Sequence, residues 1–227
     1  MDPSATEDVP GGSVEPGTAE PGSALAPDDG TVDERTIDPD PLVQFGLWYR
    51  RAAEVVVAPG SMALATADAQ GRPSVRMVLL KSWGDDGFVF FTNYDGRKSH
   101  DLIANPQAAL LFYWEPLGRQ VRVEGAVSRT TDAESDAYYA SRDLGSRVGA
   151  YASHQSQPIA SRADLDASVE HWTTELRDGA VPRPPWWGGW RITPQAYEFW
   201  QQGQYRLHDR VRYEADGPAW TIDRLQP

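Results

Sequence analysis

Cysteine is absent from all 227 residues, which excludes disulfides, thiolate metal sites and cysteine nucleophiles. A cysteine-free chain suits a cytoplasmic protein. Histidine is scarce as well: the four present do not pair at metal-ligand spacing, so no metal is expected. No stretch approaches the roughly 18 apolar residues of a membrane helix, and no membrane association is expected. The G-x-x-x-x-G-K-[ST], G-x-G-x-x-G, H-E-x-x-H and G-x-S-x-G patterns are all missing, which leaves nucleotide-loop, metalloprotease and serine-hydrolase chemistry without support. Bases are lacking at the start. Of 33 acids and 21 bases, residues 1–40 take eleven acids and only Arg35, so the acidity belongs to this segment and the remainder is nearly neutral. With no basic stripe along the chain, nucleic acid is not an expected partner.

Residues 1–39 are rich in Pro, Gly, Ser, Asp and Glu. Such a segment buries too little apolar surface to offset its ordering entropy, and it reads as a disordered tail. It has neither the basic start nor the apolar run of a signal peptide. Residues 40–227 read as a single domain.

Within that domain Asp40-Pro41 marks a helix start, and Leu42, Phe45, Tyr49 and Ala52 follow helical spacing. From Ser61 the period changes. "SMALATAD", "SVRMVLLKSW", "GFVFFTN", "QAALLFYW" and "RQVRVEGAVSR" read as strands separated by turn signals. Helices are expected over "GRKSHDLIAN", over "TDAESDAYYASR", and from a capping box at Ser161 to about Arg177. After a rigid "VPRPPWWGG" connector come strands "WRITP", "YRLHDRVRYE" and "AWTIDRLQP". The fold class is α+β: a mostly antiparallel, barrel-like sheet with flanking helices.

Cations recur at the strand ends. Arg76 and Lys81 bracket an apolar run, and Arg97-Lys98 open a short helix, which makes either a phosphate site or a solvated turn. Gln120 could meet an imide edge or simply end a strand. Tyr138 and Arg142, four apart on an expected helix, share a face with Ser146 one turn beyond, forming a phosphate cradle or a helix end favoured by its dipole. In "EFWQQGQYRLHDR" an extended strand would set Arg206, His208 and Arg210 in one row. Their mutual repulsion favours an anion between them over a bare polar face.

In chain order, "RMVLLK", "FFTNYDGRK", "NPQAALLFYW", "RQVRVEG", "YYASR", "GSRVGAYASHQSQ", "WGGWRITP", "EFWQQGQYRLHDR" and "IDRLQP" cover nearly all of residues 40–227. Together they resemble the pyridoxamine 5′-phosphate oxidase family. The resemblance implies an FMN-binding split β-barrel, with the flavin at the interface of a homodimer. It implies flavin contacts from Arg76, Met77, Val78, Leu79, Leu80 and Lys81, from Phe91, Thr92, Arg97 and Lys98, and from Gln120, Gln155, Ser156, Trp200 and Arg210. The substrate phosphate would meet Lys81, Tyr138, Arg142 and Ser146, and Arg206 and His208 would act on the substrate ring. The implied reaction oxidises pyridoxamine or pyridoxine 5′-phosphate to pyridoxal 5′-phosphate, with O2 reduced to H2O2. Two departures from the family pattern, Asp143 and an N-terminal segment "DDGTVDERTID" without Tyr, bear on the substrate side. They leave a related oxidase of phenazine biosynthesis, or a non-catalytic flavin-binding protein, as alternatives.

Overall fold

The computed structural model describes residues 32–176 and 181–227. Most of the tail expected to be disordered therefore lies outside the described residues. Over residues 32–39 the expectation is corrected. Val32 is buried, Arg224 donates to its carbonyl (3.0 Å) and pairs with Glu34 (2.6 Å), and Tyr213 donates to the Asp38 carbonyl (2.7 Å). Apolar cover for Val32 and a counter-charge for Glu34 order the chain before the first helix begins.

That helix, α1, spans Pro41–Ala53, and the Asp40 side chain accepts from Leu42 N–H at its start. Its apolar stripe buries Phe45, Trp48, Tyr49 and Ala52. Phe45 is fully enclosed, with ring centroids of Phe88, Phe112 and Trp83 at 4.9, 5.1 and 5.4 Å.

The strands are β1 (Ser61–Ala67), β2 (Pro73–Leu79), β3 (Ser82–Gly84), β4 (Gly87–Asn93), β5 (Gln107–Trp114), β6 (Arg119–Arg129), β7 (Trp187–Gln201), β8 (Asp209–Asp216) and β9 (Ala219–Arg224). All pair antiparallel in the order β2-β1-β5-β6-β7-β4-β3, with β8 and β9 continuing from β7. The helices α2 (Arg97–Ala104), α3 (Asp132–Ser141), α4 (Leu144–Ala152) and α5 (Arg162–Glu175) flank the sheet.

Strand β7 is the hinge of the architecture. One edge pairs with β6 over Trp190–Gln201. The other pairs with β4 over Trp187–Ile192 and with β8 over Ala196–Gln201. The sheet splits there, where Pro194 withholds a ladder donor and the β6 register shifts at Glu124/Gly125. Gly188 and Gly189 admit neighbours closely: a Cβ on Gly189 would lie 2.8 Å from the Phe91 ring, and one on Gly188 would lie 2.2 Å from Tyr94 Oη.

Three expectations are corrected, and one helix for which the sequence reading named no element is found. "SVRMVLLKSW" is not one strand. Leu80 N–H bonds Gly60 and Lys81 N–H bonds Val89, so the chain changes partners between β2 and β3. The segment 144–152 is a helix, α4, capped by the Asp143 carboxylate. β7 runs without interruption from the Trp-Trp-Gly-Gly connector to Gln201. Residues 204–206 form a 3₁₀ turn with left-handed Tyr205 (φ 55°) and Arg206 (φ 65°), so the alternating row of Arg206, His208 and Arg210 does not exist. β8 starts only at Asp209 because the turn must first reverse the chain.

Candidate functional site

Two groups of the residues singled out from the sequence assemble, at opposite ends of β7. The first forms around the β4–α2 junction. Thr92 on β4 and Lys98 on α2 are both buried. Lys98 Nζ donates to Thr92 Oγ1 (3.0 Å) and to Gln155 Oε1 (2.6 Å), and Ser156 follows in a left-handed turn (φ 70°). Burial, with Arg76 nearby, pushes the Lys98 ammonium down to about 8. Arg76 points under β1, donating to Leu64 O (3.1 Å), Thr66 Oγ1 (2.8 Å) and Ser74 Oγ (2.7 Å). Burial lowers its pKa, the Asp101 carboxylate raises it, and the Arg97 charge lowers it. Arg97 itself is exposed at the first position of α2.

Beside this group three rings lie nearly parallel: Phe91 on Tyr138 (4.1 Å, 17°), and Trp187 within 5.6 Å of Phe91 and 6.1 Å of Tyr138. Lys81 Nζ sits 5.6 Å from the Tyr138 ring centre and Arg142 Cζ 4.8 Å from that of Trp187. Tyr138 and Arg142 do not meet by sharing a helix face. α3 ends at Ser141, and Arg142 is its C-cap with extended backbone (ψ 150°). They meet through Trp187, a residue that sequence reasoning left in a connector. Arg142 Nη1 is buried with no hydrogen-bond partner. Asp143 does not neutralise it by contact: its carboxylate accepts from Ser146 N–H (2.7 Å), and hydrogen bonds from Ser146 hold it below the usual carboxylate range. Ser146 is thereby oriented toward its own helix cap.

The second group lies where β7 pairs with β6 and β8. Gln120, Trp200 and Arg210 are in direct register across three strands. The Trp200 ring lies 4.5 Å from that of His208. Gly203 N–H donates to His208 Nδ1 (3.2 Å), which leaves Nε2 to carry the proton of the neutral imidazole. Arg210 grips Glu198 through Nε (2.8 Å) and Nη2 (3.0 Å), and its charge is favoured by those bonds. Arg206 stands exposed in the 3₁₀ turn.

Thr92 pairs with Gly188 and Gln120 with Trp200. At about 3.3 Å per residue, the β7 contour between those two points is roughly 40 Å. One chain therefore does not bring both groups onto one small molecule. The two groups also face differently: cross-strand partners share a face, so Arg76 lies with its partner Leu64 on the core side, whereas a continuous register joins Met77, Ala63, Leu111, Arg122, Glu198 and Arg212 on the other side. That sheet face carries Met77 and Leu79 from β2 as well as Gln120, Trp200 and Arg210. Its β2 edge is apolar and open, with Val75 69%, Met77 64% and Leu79 51% exposed, and a groove of about 760 Å³ crosses it between Ala65, Ala109, Ala196 and Arg212. Val78 and Leu80 turn into the core instead, so only their backbone could meet a ligand. Among the described residues no cluster of His, Asp or Glu could hold a metal, and no helix is long and apolar enough to cross a membrane.

Comparison with known proteins agrees with this geometry. Residues 50–175 match the pyridoxamine 5′-phosphate oxidase family, and residues 187–227 match the pyridoxine 5′-phosphate oxidase C-terminal dimerisation region. The chain is 52% identical over 191 residues to the pyridoxine/pyridoxamine 5′-phosphate oxidase of Rubrobacter xylanophilus, covering 84% of this chain and 88% of that one. It is 52% identical over 200 residues to the enzyme of the same name from Paraburkholderia phymatum, covering 87% and 94%. Among solved structures, PhzG from Burkholderia lata 383, in complex with tetrahydrophenazine-1-carboxylic acid, superposes with a TM-score of 0.81 at 32% identity over 90% of this chain and 98% of that one. A pyridoxamine 5′-phosphate oxidase-related, FMN-binding protein from Nostoc punctiforme shares the fold, with a TM-score of 0.66 at 14% identity over 84% of this chain and all of that one. With the split antiparallel barrel and both family regions present, the chain belongs to the pyridoxine/pyridoxamine 5′-phosphate oxidase family of oxidoreductases.

Proposed function

We propose that the protein is an FMN-dependent oxidase that converts pyridoxamine 5′-phosphate and pyridoxine 5′-phosphate to pyridoxal 5′-phosphate, passing electrons to O2 and releasing H2O2. The observation that carries this reading is a pair of distinct cationic anchors on one chain. Arg76, Arg97 and Lys98 form one; Lys81 and Arg142, whose Nη1 is buried without a partner, form the other. Two phosphate esters fit these anchors, one on a flavin and one on a ring substrate. Thr92 and Gln155, already bonded to Lys98, fit a phosphate or ribityl group, and the partnered Gln120 and Trp200 fit the edge and face of an isoalloxazine.

Bound FMN would supply the two-electron acceptor for the hydride leaving the substrate carbon. The chain's own residues would supply position and proton handling. Lys81 and Arg142 would fix the substrate phosphate, Tyr138 would line that anchor, and Ser146 would help hold the loop. Fixing both partners removes much of the entropic cost of their encounter. His208, donating through its Nε2–H, and Arg206 would hold the ring, and the Arg206 charge would favour loss of the amine or hydroxyl proton to water.

Because the groups around Thr92 and Trp200 are so far apart, a complete site takes one group from each of two chains, consistent with the matched dimerisation region. This makes complementation the test. Lys98→Met and Arg210→Ala chains are each expected to be nearly inactive. Refolded together in equal amounts, they should recover about a quarter of wild-type turnover, since half the dimers carry one intact site in two. No recovery would reject a shared site.

Lys98 also sets an expected pH dependence. Its charged form is disfavoured in the free protein, at about 8, and a bound phosphate dianion would favour it. FMN affinity should be level from about pH 7 to 8, then fall by up to about tenfold per unit as Lys98 loses its proton. For Lys98 alone the sign for stability is opposite. The folded value lies below the unfolded one, so the burial penalty is complete below about 8 and is relieved as pH rises toward the unfolded value. Flavin fluorescence titrations across that range check the first expectation, and an affinity that is flat to high pH would contradict it.

One observation favours a second reading. PhzG, crystallised with tetrahydrophenazine-1-carboxylic acid, matches over nearly its whole length. Turnover of a carboxylated tricyclic ring with no turnover of pyridoxamine 5′-phosphate would decide for it.

A further inference from the structure

Asp101 lies on α2 with 5% of its surface exposed, and neither the sequence motifs nor the proposed reaction uses it. Thr66 Oγ1 donates to Asp101 Oδ2 (2.7 Å), and Arg76 Nη1 donates to the same Thr66 oxygen (2.8 Å). The acid therefore fixes the Thr66 proton, which turns the Thr66 lone pair toward the guanidinium. Asp101 Oδ2 stands 3.8 Å from Arg76 Nη2, too far for a hydrogen bond but close enough to act through charge. The charged groups facing this spot are Arg76 from β2 and Arg97, Lys98 and Asp101 from α2. The neighbours Thr66 and Ser74 at Arg76, and Thr92 and Gln155 at Lys98, are neutral. Three cations and one acid leave a net charge of two, the complement of a phosphate monoester dianion, which forms above its second pKa of about 6.

We propose that Asp101 is a positioning residue of the flavin-phosphate anchor: it holds Arg76 in place through Thr66 and matches the anchor's charge to a dianion. This rests on the FMN reading above. Asp101 offsets part of the charge of Arg76, the half-buried cation that repels the buried Lys98. Without it Lys98 gives up its proton more readily.

The experiment is binding of FMN to the flavin-free protein, followed by fluorescence quenching from about pH 6.5 to about 10, with riboflavin as the phosphate-free comparison. In wild-type protein, affinity for FMN is expected to fall above about 8. In Asp101→Asn the break should move down by about one unit, and Asp101→Glu should restore it. Thr66→Val, which keeps the charge and cuts the link to Arg76, should weaken FMN about fivefold without moving the break. Riboflavin affinity should be the same in all four proteins. An unmoved break in Asp101→Asn, or an identical response in Asp101→Asn and Thr66→Val, overturns the proposal. If Asp101→Asn fails to fold, Thr66→Val decides: unchanged FMN affinity there overturns it. Wild-type protein that binds FMN at no pH removes the flavin reading itself, and this proposal with it.

Discussion

Arg142→Ala is expected to lower kcat/KM for pyridoxamine 5′-phosphate by about 10² to 10³ while leaving the FMN complement intact. The size follows from the state of this guanidinium. Burial disfavours its charge, Nη1 has no partner in the protein, and the nearby carboxylate of Asp143 is engaged in capping α4. A phosphate arriving there makes charge-assisted bonds worth about 1.5–3 kcal/mol each. Two of them lost together, taken at the lower end of that range because water replaces part of what is lost, amount to about 3–4 kcal/mol, and each 1.4 kcal/mol is a factor of about ten. Arg142→Lys should recover only part of the loss, because a point charge does not reproduce the planar fork. Steady-state kinetics with phosphorylated and unphosphorylated pyridoxamine measure this. Wild-type enzyme should prefer the phosphorylated substrate strongly and Arg142→Ala should barely distinguish the two. A loss below about fivefold would assign the orphaned nitrogen to another ligand.

The second large effect is on stability. Phe45→Ala should destabilise the fold by about 3–5 kcal/mol, the range for emptying an aromatic site in a packed core. Phe45 has no exposed surface and meets five other rings, those of Tyr49, Trp83, Phe88, Phe112 and Trp114. It joins α1 to both limbs of the sheet, so its neighbours cannot collapse without moving strands. At about 2–4 °C per kcal/mol for a chain of this size, Tm should fall by about 6–20 °C. Calorimetry at matched protein concentration is the check, since association contributes to the apparent value. Val57→Ala, at a fully exposed position, should change nothing. Similar Tm values for the two variants would contradict the packing described here.

Much of the fold was legible because local signals and tertiary structure agree. Asp40-Pro41 starts α1 in the way capping chemistry dictates. The alternating "SMALATA" buries Met62, Leu64 and Thr66 on one face of β1. The reading went astray where side-chain alternation was assumed to survive a backbone change. Arg206, His208 and Arg210 are spaced as a strand, but nothing in that spacing reveals the two left-handed residues of the 3₁₀ turn. α4 was hidden by its small, hydroxylated composition, although Asp143 before Leu144 is a usable cap signal. Candidate site residues were legible by type, through cations at strand ends. Their division into two groups was not, because it depends on the length and pairing of β7. Asp101, three residues beyond Lys98, could have been found from helical spacing. Glu198 and Trp187 could not, since their partners Arg210 and Tyr138 depend on cross-strand register and long-range packing.

The unbroken course of β7 also bears on how the chain reaches its native state. Its ladder with β6 closes across α3, α4 and α5, so the largest pairing in the sheet is among the most distant in sequence. Such closure is entropically slow. Until β7 docks, β4, β6 and β8 each present an unsatisfied edge at once, and the nascent protein is at its most vulnerable to clumping. Slow, cool synthesis should therefore raise the soluble yield.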